Sequence, residues 1–156
     1  MPPTVKSKIR HFVWGTYMRI VGPRRIHAGV KSGKPVRIVI GASMIAEEGW
    51  LQTEIEFLNL LDTSTFDRFF KPNTVDAMIA EHVWEHLSIA DGTQAAKNCH
   101  KYIKPGGYLR VAVPDGNFPD PAYIEHVKVN GTGPGADDAK VLYTIDTFRK
   151  VFEDAG

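Results

Sequence analysis

Three short apolar runs, VRIVI (36–40), TVDAMIA (74–80) and YLRVAV (108–113), restrict what this chain can become more than anything else in it. Each is rich in β-branched side chains and bounded by turn formers. Ser32–Pro35 and Gly41 flank the first, Lys71-Pro72-Asn73 precedes the second, and Lys104-Pro105-Gly106-Gly107 precedes the third. Near-continuous apolarity over so short a length predicts strands covered on both faces. Helical stretches separate them: EHVWEHL (81–87), then roughly Gly92–Ile103 with Asp91 or Ser88 as N-cap. Asp120-Pro121 opens a short helix to about Val129, and Thr144 caps a last one over Ile145–Ala155. Two weaker strands are expected, near Leu51–Ile55 and over Phe57–Leu61. Strands alternating with helices form a mainly parallel α/β sheet with helices on both faces. The expected order has VRIVI central, TVDAMIA beside it and YLRVAV beyond.

The 156 residues suit one domain, and a 43% hydrophobic share is that of an ordinary soluble globular protein. No apolar run is long enough to cross a bilayer, and the basic N-terminus is not followed by the uninterrupted apolar stretch of a signal peptide. The single cysteine, Cys99, excludes an internal disulfide and fits a reducing, cytoplasmic setting; among Ala95, Ala96 and Ile103 it reads as a small core residue. Charge is polarised. Nine Lys and Arg and no Asp or Glu precede Glu47, so the first 46 residues carry +9 and the remainder −8.

Residues 1–35 form a basic helical arm, in which Ile9, Phe12, Val13, Tyr17 and Ile20 recur at helical spacing and Gly22-Pro23 stops the helix. Three roles are open to it: contact with an anionic surface, including peripheral attachment to a membrane, a lid over a ligand pocket, or packing on the acidic domain of residues 36–156. Charge sign names no partner, and nucleic acid is not expected as one.

Ligands of parallel sheets lie beyond the carboxyl ends of the strands, here Gly41, Glu54, Asp62, Glu81 and Asp115. A glycine after the first strand lets backbone approach a ligand closely. Glu54, thirteen residues on, is placed to accept the hydroxyl protons of a ribose. AEHVWEHL (80–87) sets four ionisable groups directly after a buried strand, Glu81 and Glu85 on one helical face and His82 and His86 on another. Glu85 and His86 read as structural hydrogen-bonding residues.

AEHVWEHL followed by YIKPGGYLRVAVPD resembles the stretch from the fourth to the fifth strand of class I S-adenosylmethionine-dependent methyltransferases. In particular it looks like a small bacterial, type 11-like branch with an EHVLEHL-like segment and an LKPGG turn. VIGAS and GWLQTEI (49–55) are similar to that branch's opening, and DAKVLYTIDTFRKVFEDAG to its helix before the sixth strand. The resemblance runs from about Val36 to Gly156 and implies a Rossmann-like fold with S-adenosylmethionine as cofactor. It assigns Gly41, Ala42 and Ser43 to the methionine part of the cofactor and Glu54 to its ribose. Asp62 falls near the adenine, Glu81 and His82 beside the reactive end, and Lys104–Gly107 at a structural turn. Ser43-Met44 stands where the family has a second glycine and Ala139 where relatives carry a histidine. The match stops at Gly156, where the family adds two strands, so YLRVAV is expected at a sheet edge open to self-association.

Methyl transfer asks an enzyme to position two reactants and exclude water, with a base where the acceptor must lose a proton. His82 is the first choice for that base and Asp115 the second; the acceptor is an unidentified small or saccharide-like molecule. Two other readings stand beside this one. His82-Val83-Trp84-Glu85-His86 spells the H-x-x-E-H of inverted zinc proteases, although no metal is expected. A truncated or degenerate, non-catalytic methyltransferase-like domain is the second; a nicotinamide dehydrogenase is disfavoured because the first loop lacks the dinucleotide glycine pattern.

Overall fold

The computed structural model describes residues 5–42 and 48–156, with residues 5–14 as backbone only. Ten elements follow in order, one of them a single 3₁₀ turn. They are α1 (Val5–Lys31), β1 (Arg37–Ile40), β2 (Leu51–Gln52), α2 (Thr63–Asp67), β3 (Val75–Glu81), the 3₁₀ turn Trp84–His86, α3 (Ile89–Tyr102), β4 (Ile103–Ala112), α4 (Pro121–Val127) and α5 (Ile145–Glu153).

The strands form one parallel sheet in the order β2-β1-β3-β4. The three strong apolar runs lie side by side as expected, Ile38 against Met78 and Met78 against Leu109. Ile38, Ile40, Val75, Met78 and Ala80 are buried in one core with Phe57, Phe66, Trp84, Tyr102 and Val151. Their apolarity on both faces matches a sheet sandwiched by helices.

The KPGG turn sits inside β4. Ile103 pairs with Val75, yet the next partner of β3 is Tyr108 opposite Ala77, so Lys104–Gly107 are extruded as a bulge. A Cβ on Gly107 would meet the Asp76 carbonyl oxygen at 2.8 Å, and Gly106 has φ +81°. Both positions therefore need glycine. Lys104 Nζ bonds the Asp76 carboxylate across the bulge and holds its pKa below the usual value.

Three expectations are corrected. Pro23 does not end the first helix, which continues to Lys31. Met18 and Ile26 are fully buried on either side of the proline, and a Cβ on Gly22 would meet the Phe57 ring at 2.6 Å. Burial of both flanking turns offsets a proline cost of about 3 kcal/mol. The strand over 57–61 does not form, and only Leu51–Gln52 of the strand near 51–55 pairs in the sheet. Asn59 organises a turn there, its Oδ1 accepting from the Leu61 amide while Thr65 Oγ1 donates to its carbonyl. Phe57, Leu58 and Leu60 are still buried, as loop residues feeding the core. EHVWEHL, lastly, is no α-helix: β3 extends through Glu81 and only Trp84–His86 form a turn.

Candidate active site at the carboxyl edge of the sheet

The carboxyl ends of β1, β2 and β3 are tied into one row. Gly41 follows β1 in a left-handed conformation (φ +61°), and a Cβ there would stand 3.0 Å from Val83 Cγ2. This position tolerates no side chain without strain. Ala42, almost fully buried, donates its amide to the Thr53 carbonyl at 3.1 Å, and the Thr53 amide returns to the Val39 carbonyl at 2.8 Å. Thr53 is itself fully buried, its hydroxyl 3.0 Å from the same Val39 carbonyl. Glu54 comes next, half-buried, its carbonyl accepting the amides of Phe57 and Leu58. The first-strand glycine, the candidate ribose acid and the residues after β3 thus share one edge. Ser43 lies outside the described residues.

β3 ends in a sharp change of direction. Glu81, its last residue, forms an ion pair with Arg110 of β4. His82 then adopts φ +55°, which costs a non-glycine residue conformational energy. That reversal replaces the expected helix, and it leaves His82 Nδ1 3.0 Å from Glu85 Oε1. The imidazole is 72% exposed, whereas the Glu85 side chain is 7% exposed. Trp84 anchors the turn, fully buried, donating Nε1–H to the Gly92 carbonyl at 3.1 Å and packing on Phe152. Glu85 also accepts the amides of Lys140 and Val141 through its carbonyl, fastening the 133–141 loop to the turn. Its Oε2 and the Tyr143 hydroxyl are buried without a hydrogen-bond partner among the described residues. Burial, and after it the Glu85 charge, raise the Tyr143 pKa.

His86 Nδ1 stands 2.9 Å from Asp138 Oδ1, so each histidine of the segment faces its own carboxylate. The shared helical face on which a zinc reading depends does not form. Among the described residues no group of three or more His, Cys, Asp or Glu side chains is placed to hold a metal ion.

Two predicted residues stand apart from the row. Asp62 follows no strand; it caps α2, its Oδ1 accepting the Ser64 amide at 2.9 Å. Asp115 lies three residues beyond β4, accepts the Asn117 amide at 2.9 Å and forms a bridge with Tyr143. It lines a cavity of about 250 Å³ with Tyr143 and Phe148. His82 lines a different one of about 410 Å³, and Pro114 borders both. Sequence reasoning missed Thr53, which locks the first two loops together; of the Gly133–Ala139 segment, which walls the larger cavity, it singled out only Ala139. A threonine in a weak strand carries no signal, and a glycine-rich loop shows only that it turns. The His82–Glu85 contact was visible as a three-residue spacing, once the segment is taken as one turn.

Residues 37–111 match the family described as Methyltransferase domain, a segment just under half the chain that spans the sheet from β1 into β4. No curated protein and no solved structure matches the chain. The family match over residues 37–111 and the four-stranded parallel sheet together support a class I S-adenosylmethionine-dependent methyltransferase fold for this segment.

Proposed function

We propose that the chain binds S-adenosylmethionine across the carboxyl ends of β1, β2 and β3 and transfers its methyl group to a small acceptor, with His82 receiving the acceptor's proton. The observation that carries this reading is the coupled row Gly41–Ala42, Thr53–Glu54 and Glu81–His82. The residues suit that cofactor. Gly41 presents backbone where a side chain has no room, Ala42 adds only a methyl group, and Glu54 is an acceptor of hydroxyl protons at the next strand end. When bound, the cofactor supplies an electrophilic methyl on a positively charged sulfur. The chain's own tasks are to hold the reactants in line, keep water out and take a proton at His82. Asp115 faces the neighbouring cavity and is the lesser candidate for that proton.

Glu54→Ala tests the cofactor site. Loss of charge-assisted hydrogen bonds to a ribose should weaken S-adenosylmethionine binding by about 1–3 kcal/mol in calorimetry. Unchanged affinity in a variant with an unaltered circular dichroism spectrum would remove Glu54 from the site.

A further inference from the structure

We infer that the cavity of about 410 Å³ beside His82 seats the methyl acceptor, that the acceptor presents a neutral hydroxyl, and that Glu85 is the positioning residue that aims His82 at it. The inference rests on the methyltransferase reading above and adds to it the substrate class and the role of Glu85.

The volume is in the range of small-molecule sites. Pro114, Ala136 and Ala139 give the cavity apolar walls, and His82, His86 and His126 give it polar edges. Glu85 is more than nine-tenths buried, and its Oε1 holds His82 Nδ1 at 3.0 Å. A carboxylate accepts and cannot donate, so the pair is satisfied only when Nδ1 carries the hydrogen. The other ring nitrogen, Nε2, is then a bare acceptor on an imidazole that is largely exposed and lines the cavity. This is the division of labour by which a buried acid orients a histidine base.

A hydroxyl meets this arrangement by donating to Nε2. An ammonium group can donate there too, but among the described residues the cavity lining offers its charge no free carboxylate oxygen. Glu85 Oε1 is engaged, Oε2 is sealed from solvent, and no other carboxylate lines the cavity among the described residues. The chemistry balances. The hydroxyl proton moves to Nε2, the oxygen takes the methyl group, and the positive charge lost from sulfur reappears on the imidazolium beside Glu85.

The test uses the whole chain without cofactor. Long-range proton–nitrogen correlation spectra of the histidine rings should show wild-type His82 almost wholly as the Nδ1–H tautomer. In Glu85→Gln, whose amide donates as readily as it accepts, that preference should fall to near parity. Cyclohexanol should shift the Ala136 and Ala139 methyl signals and the His82 Nε2 resonance; cyclohexylammonium should leave them in place. An Nε2–H tautomer in the wild-type protein, which needs no variant to observe, overturns the role of Glu85. Equal or inverted responses to the two probes, or none to either, overturn the hydroxyl site. Failure to bind S-adenosylmethionine, with these outcomes as expected, would instead refute the methyltransfer reading.

Discussion

His82 illustrates what a single residue hides. Its identity and its place after a strand were legible, but its positive φ was not, because nothing in an HVWEH string distinguishes a helix from a reversal followed by a 3₁₀ turn. That one dihedral decides which carboxylate the imidazole meets. Cys99 is the opposite case, a residue whose surroundings follow from its neighbours. It is fully buried, and burial pushes its thiol pKa up to about 12. The native protein should therefore be inert to a thiol reagent such as Ellman's at about pH 8, and should react fully once denatured. A fast native reaction would place Cys99 at the surface. The same shift sets a sign for stability. Above its ordinary value of 9.0 the unfolded chain releases a proton that the folded chain keeps, so this contribution lowers stability as pH rises toward 12.

Among the elements, those whose pattern and punctuation agreed were readable before folding. Thr144 caps α5 through a reciprocal hydrogen-bonded box, Asp120 and Pro121 begin α4, and Ser88 caps α3, each as its residue type implies. Elements decided by tertiary contact were not. α1 survives its proline because Met18, Gly22 and Ile26 pack on the loop and sheet, and 57–61 is a turn because Asn59 and Thr65 bond the backbone there. A strand pattern of buried Phe57, Leu58 and Leu60 is equally served by a loop pressed on the core. Pro23→Ala restores the missing donor and removes the ring, so it should stabilise the protein by about 1–3 kcal/mol in denaturant unfolding. A loss of stability would mean that the chain bends at Pro23 in a way the native packing requires.

At the scale of the whole molecule, the sheet has a covered centre and one long edge. β1 and β3 are flanked on both sides, whereas β4 pairs only with β3 among the described residues. Tyr108 on β4 is 55% exposed, and the guards along that strand are Arg110, Lys104 and the bulge at Pro105. This edge predicts weak self-association of the chain. Light scattering over a concentration series should show the mass rising, and Tyr108→Lys should suppress the rise; a constant monomer mass throughout would show that the guards suffice. No helix among the described residues is long and apolar enough to cross a membrane.

The row of strand ends is the centre of the account, and amide chemical shifts can locate a ligand on it residue by residue. Titration of the full chain with S-adenosylmethionine should give saturable, single-site shifts at Gly41, Ala42, Thr53, Glu54, Glu81 and His82, leaving Lys104–Gly107 at the opposite end of the sheet unmoved. No shifts at saturating cofactor, or shifts confined to residues away from that row, would contradict it.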